Sequence, residues 1–154
     1  NEFMLTLNSH HLNPKQFELE FSEDIWKNDQ ETLDKIFSLL EKNSIDVCID
    51  DFGSGYTSFV YIRKYKIDRI KIANDFVDQS VINKKDMQVV AAIINIAKSM
   101  KLKVTAKGVE SHEIKELLKE LNCNEMQGYF LSRPMSAEEF ENSLRQNSHM
   151  VADI

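Results

Sequence analysis

The residues able to do chemistry collect where short apolar runs end. Glu20 and Glu23 close the run 17–21, Asp50 and Asp51 the run 45–49, and Lys71 lies in the run 69–72. Lys107 follows the run 103–106, and Gln127 falls within 126–131. Carboxylates drawn from neighbouring strand ends are the oxygen donors of a hard divalent cation such as Mg²⁺ or Mn²⁺, and such a cation commonly clamps phosphate. Alternation puts Glu18 and Glu20 on the face opposite Phe17, Leu19 and Phe21, and Cys48 and Asp50 opposite Val47 and Ile49, so Glu20 and Asp50 share an interior. Spacing alone allows a second reading with equal weight, in which these charges are solvated or cap the next helix. Glu18 suits that second reading better than Glu20.

Helical patterns separate the runs. Leu33, Ile36, Phe37 and Leu40 follow a helical period, as do Val89, Val90, Ile93, Ile94, Ala97 and Met100, and then Ile114, Leu117, Leu118 and Leu121. Ser136 with Glu139 forms a capping box that predicts a last helix carrying Phe140 and Leu144. Strand and helix in strict alternation predict an α/β fold of βα units around a parallel sheet. A closed (βα)8 barrel takes about 250 residues. With 154 residues and five units, this chain is either an open sheet or the later part of a barrel. One domain over residues 1–146 and a polar tail over 147–154 are expected.

The formal charge of −6 argues against duplex DNA or a polybasic membrane partner, and no apolar run approaches the ~18 residues of a membrane span. Cys48 and Cys123 are too few for a disulfide scaffold, which predicts a reducing, cytoplasmic setting. The sequence opens on Asn1 with no charged or apolar leader, and is expected to belong to something longer. His10, His11, His112 and His149 lack metal-ligand spacing and read as surface residues. Arg63, Lys64, Lys66 and Arg69, with Tyr61 and Tyr65 interleaved, read as a solvated basic face, with Lys71 the exception among the carboxylates. Asp51-Phe52-Gly53 matches a kinase magnesium triplet, but no glycine-rich phosphate loop accompanies it. All four glycines lie in three short stretches, around Gly53 and Gly55, at Gly108 and at Gly128.

The stretch from Asp50 through Ser58, DDFGSGYTS, resembles the EAL-domain family, bacterial phosphodiesterases that open cyclic di-GMP to the linear dinucleotide. Leu19-Glu20-Phe21-Ser22-Glu23, Ile67-Asp68-Arg69-Ile70-Lys71-Ile72, Ala106-Lys107-Gly108-Val109-Glu110, and Gln127-Gly128-Tyr129 with Arg133-Pro134 follow in the family's order. The resemblance runs from about Leu12 to Leu144 and implies a partial TIM-like (βα) barrel of the EAL type, about five βα units of a modified (βα)8 barrel. It implies Glu20, Asp50 and Asp51 as ligands of Mg²⁺ or Mn²⁺, and Lys71 as the group orienting water and phosphate. Glu23 would brace the loop of Gly53, Ser54 and Gly55 through Ser58, and Gln127 would line the site.

The departures from the family pattern bear on activity. No Glu-Ala-Leu signature is present, the family's asparagine ligand is absent, Ala73 stands where the family has aspartate, and Lys107 replaces the glutamate of Ala-Glu-Gly-Val-Glu. That glutamate is the family's proposed general base, a role worth about 10²–10⁴-fold. Lys107 is expected to repel the metal, or to pair with Glu20 or Asp50 and take the metal's electrostatic place. The chain is therefore expected to be a catalytically inactive regulatory or binding module of cyclic di-GMP signalling. An active phosphodiesterase whose first strands lie outside the chain, and an interaction scaffold without nucleotide, are the alternatives. A homodimer, or docking to an upstream segment, is expected to cover an apolar interior lined by Phe21, Val47, Ile49, Ile70 and Val104.

Overall fold

Period-two alternation and helical spacing resolve into the expected architecture in a computed structural model that describes residues 2–55, 59–79 and 83–147. Helix α1 (Glu2–Ser9) leads into strand β1 (Glu18–Ser22). There follow α2 (Gln30–Lys42), β2 (Asp46–Phe52), α3 (Phe59–Lys64), β3 (Arg69–Ile72), α4 (Asn74–Gln79) and α5 (Lys84–Ser99). Strand β4 (Lys103–Ala106), α6 (His112–Glu120), β5 (Glu125–Met126) and α7 (Ala137–Asn147) complete it. The strands pair in parallel in the order β1-β2-β3-β4-β5, so each lies beside the strand before it in the chain.

Local chemistry sets the helix starts. The Asp29 carboxylate accepts from the Thr32 N–H at 3.0 Å to open α2, and the Ser111 hydroxyl accepts from the Ile114 N–H at 3.3 Å to open α6. Ser136 and Glu139 form the capping box of α7: the Ser136 N–H donates to the Glu139 carboxylate at 2.7 Å, and the Glu139 N–H to the Ser136 hydroxyl at 3.3 Å.

The two sheet faces differ in kind. Leu19, Phe21, Val47, Ile49, Ile70, Ile72, Val104 and Ala106 fall on the helix side, in register across the strands. Glu18, Glu20, Cys48, Asp50, Arg69, Lys71, Thr105 and Glu125 fall on the other, the concave side of the arc. This parity corrects the expected apolar interior. Val47, Ile49, Ile70 and Val104 are at most 2% exposed, under the helices, and Phe21 is half-buried against the same core. Each fully buried Ile or Val is worth about 1.5–3 kcal/mol, so the helix side drives assembly and the inner face is left to charged groups.

Two further expectations need correction. The run 126–131 supplies only the end of β5, because its remainder turns back on the 106–109 segment: the Gln127 N–H donates to Ala106 O at 2.8 Å, the Val109 N–H to Gln127 O at 3.1 Å, and the Phe130 N–H to Val109 O at 3.1 Å. A Cβ at Gly128 would stand 2.6 Å from the Val109 carbonyl carbon, so no other residue allows this approach. The basic stretch is not one solvated face, since its helix ends at Lys64 and Arg69 turns inward on β3. The tail expected at 147–154 lies outside the described residues except for Asn147. Among the described residues no helix is long and apolar enough to cross a membrane.

Candidate functional site

The rim at the carboxyl ends of the strands carries the residues expected there. In β2 the register slips between Ile49 and Phe52: Ile49 pairs with Ile70 and Phe52 with Ile72, so Asp50 and Asp51 together oppose Lys71. Such a bulge places consecutive side chains on the same side, which simple alternation forbids. Asp51 takes φ of +51°, a left-handed conformation that aspartate tolerates better than most residues. The Ser54 N–H and hydroxyl both donate to Asp51 O, at 3.1 and 2.7 Å, and close the turn.

Lys107 sits between the two aspartates. Its ammonium donates to Asp50 Oδ1 at 2.8 Å and to Asp51 Oδ1 at 2.8 Å. Lys71 donates instead to Glu20 Oε1. Burial acts to raise the Asp50 carboxyl, but the hydrogen bond from Lys107, a backbone N–H and the charges of Lys107 and Lys71 outweigh it and hold Asp50 below the ordinary carboxylate value. Burial likewise pulls Lys107 down, and its bonds to Asp50 and Asp51 more than offset this, leaving it above the ordinary lysine value.

Glu23 stands on a 3-10 turn, Glu23–Lys27, directly after β1, and is 6% exposed. Its Oε1 accepts from the Gly53 N–H at 3.2 Å, which ties the β1 end to the turn after Asp51. Gly53 needs its freedom, with φ of +96° and the Phe76 ring 3.0 Å from where a Cβ would lie. At Gly55 a Cβ would meet Glu23 Oε2 at 2.9 Å. The rest of the braced loop, Tyr56 through Ser58, lies outside the described residues. The same 3-10 turn carries Trp26, whose ring stacks on Tyr61 of α3 at 4.8 Å and on Phe37 of α2 at 5.6 Å between centroids.

Gln127 meets the rim through a cavity of about 220 Å³ that it lines with Asn74, Lys107, Gly108, Glu110 and Tyr129. Asn74 was missed by sequence reasoning, although it follows the end of β3 and so satisfies the rule that found the others. Arg69 was missed as well. Its Nε donates to Glu18 at 2.8 Å and its Nη1 to Thr105 at 3.1 Å and to Glu125, on the same inner face as the rim and one same-face position before Lys71 on β3. Its spacing of two from Lys71 was the available signal. Glu18 is thereby a structural partner, as its weaker claim to the site suggested.

Glu20, Asp50 and Asp51 are the donors that a Mg²⁺ or Mn²⁺ ion would take by resemblance. They do not fit one here. The ammonium of Lys107 holds both aspartates, that of Lys71 holds Glu20, and among the described residues no three His, Cys, Asp or Glu side chains gather around a point that a metal could occupy.

The chain matches the EAL-domain family over residues 1–134. It is 38% identical over 136 residues to the signaling protein YkoW of Bacillus subtilis, across 88% of this chain and 17% of that protein. It superposes on the PaMucR phosphodiesterase in its c-di-GMP complex with a TM-score of 0.83 and 33% identity, across 89% of this chain and 56% of that one. A manganese/cy-diGMP complex of BlrP1 from Klebsiella pneumoniae is similar at a TM-score of 0.79 and 26% identity, across 86% of this chain and 34% of that one. The chain thus spans a small part of its curated relative and about half of the PaMucR chain. A match that takes in β1 to β5 and every residue of the rim, joined to agreement in fold at this level, makes the chain a member of the EAL-domain family.

Proposed function

We propose that this chain acts in cyclic di-GMP signalling as a non-hydrolysing EAL domain, a regulatory or binding module. The observation that carries the reading is Lys107, which occupies the place of the family's motif glutamate and donates to Asp50 and Asp51 at 2.8 Å each. A cation cannot take a proton from water as a glutamate can, and a positive charge at that point repels a divalent ion. Support for the ligand class comes from the PaMucR and BlrP1 complexes with c-di-GMP. In this reading Glu20, Asp50 and Asp51 are held by lysines, Glu23 braces the loop of Gly53, Ser54 and Gly55, and Gln127 lines the nucleotide side.

The module works through a neighbour, either a second copy of the chain or an upstream segment of a longer protein. The open edges of the five-strand arc and the exposed Tyr129, Phe140 and Leu144 support this. A free monomer with low apolar dye binding in sedimentation at micromolar concentration would defeat it.

Turnover is tested by chromatography of cyclic di-GMP incubated with the protein and Mg²⁺ or Mn²⁺. No linear dinucleotide beyond the protein's own amount is expected, and Lys107→Glu alone restores none. Linear product in large excess, abolished by Asp50→Ala, overturns the reading.

A further inference from the structure

We infer that the rim is a divalent-cation-independent phosphate site, in which Lys107 is an internal cation for Asp50 and Asp51 and the spare N–H groups of Lys107 and Lys71 meet the phosphate. The inference deepens the proposed binding role and rests on it for the nucleotide, but the part concerning Lys107 stands on this chain's geometry alone.

An ammonium carries three N–H donors. Lys107 commits two, to Asp50 and Asp51, and keeps one. Lys71 commits one, to Glu20, and keeps two. Together they leave three donors at the ends of adjacent strands β3 and β4, and both ammonium charges act on Asp50. The three carboxylates and two ammoniums sum to −1, against the −3 that Glu20, Asp50 and Asp51 alone would present to an anion. With the three carboxylates alone, a phosphodiester could approach only behind a divalent ion. With two ammoniums held by hydrogen bonds to the carboxylates, the cations are already in place, and lysine is an accepted point-charge partner of phosphate. The lysine side chains are 15% and 18% exposed, enough for a ligand to reach and too little for free rotation.

Two measurements on the intact chain test this separately. The first titrates Mn²⁺ alone and follows the free ion by electron paramagnetic resonance. Wild type is expected to take up no ion at 100 µM Mn²⁺, an order of magnitude chosen for carboxylate sites of ordinary affinity, while Lys107→Glu and Lys107→Gln both bind it at least about tenfold more tightly. One Mn²⁺ per wild-type chain at micromolar concentration, unimproved by either substitution, overturns the internal cation. Lys107→Gln carries this arm if Lys107→Glu fails to fold.

The second titrates cyclic di-GMP calorimetrically in EDTA and in Mn²⁺. Wild type is expected to bind equally within about twofold, and Lys107→Gln to lose about tenfold in EDTA, the scale of one charge-assisted hydrogen bond. Affinity that rises tenfold or more with Mn²⁺ overturns the inference. No binding in either buffer overturns the phosphate site and the proposed binding role together, while the Mn²⁺ titration still decides the place of Lys107.

Discussion

Two ion networks occupy the same concave face, one on the floor of the arc and one at its rim, and they are built differently. On the floor, the Arg69 guanidinium of β3 reaches Glu18 of β1, Thr105 of β4 and Glu125 of β5, and its side chain is 13% exposed. At the rim, Lys107 reaches only the adjacent residues Asp50 and Asp51, the second of them half open to solvent. A planar fork with five donors can tie several strands at once, whereas a compact ammonium serves one locus and keeps a donor free. One face therefore carries a transverse strut and a ligand-ready cation, and the side-chain chemistry decides which is which.

The sharpest way to break this contrast is Arg69→Met. It strands Glu18 and Glu125 on a desolvated face and is expected to cost about 3 kcal/mol, the low end for breaking a buried pair because Glu125 is partly exposed. Urea unfolding reads it out, and the Mn²⁺ response of the rim should not change. Lys107→Met is expected to cost less, about 2 kcal/mol by the same measurement, because Lys107 bonds two adjacent residues of one strand whereas Arg69 ties three other strands to its own. A loss at Lys107 as large as that at Arg69 would erase the distinction. Thr105→Val removes a hydroxyl that accepts from Arg69 and donates to Glu125 at 3.3 Å, and is expected to cost about 1 kcal/mol or slightly less.

The smallest effect concerns pH. The hydrogen bond from Arg69 holds the Glu125 carboxyl below its ordinary value of 4.5, against the opposing pull of burial. Folding thus favours the charged form, and the resulting stability is complete above 4.5 and is lost as pH falls through the depressed folded value. Stability measured from pH 6 down to pH 3, a range chosen to span carboxylate titration, should fall less steeply in Arg69→Met than in wild type. An unchanged acid limb would show that Glu125 takes no part in the strut.

Much of this arrangement was legible in the sequence. The strands Arg69–Ile72 and Lys103–Ala106 match short β-type runs of the sequence to the residue, and the last helix follows its capping box. The short helices Glu2–Ser9, Phe59–Lys64 and Asn74–Gln79 were not legible, because a turn or two of helix shows too little periodicity to stand out. Nor was the bulge, since an extra residue in one strand is defined by the register of its partner. Lys107 had two carboxylates open to it in the sequence, Glu20 and Asp50. The bulge settled the choice by bringing Asp51 beside Asp50, and left Glu20 to Lys71. Arg69 was hidden because its partners Glu18 and Glu125 lie 51 and 56 residues away, beyond any local pattern of charge.

The strand order β1-β2-β3-β4-β5 has a consequence for how the chain reaches its fold. From β2 onward each strand docks against the one made just before it on the ribosome, so only β1 waits for a partner that has yet to be synthesised. The helix that links each pair can cover the apolar side as soon as the second strand arrives. Loop closure then proceeds in short steps, each costing little entropy, instead of one long search. Growth by accretion adds each strand at one edge, while the outer edge of β1 stays open throughout. Arg69, which joins β1 and β5 through Glu18 and Glu125, can lock only when Glu125 has emerged, and so comes late in this sequence of steps.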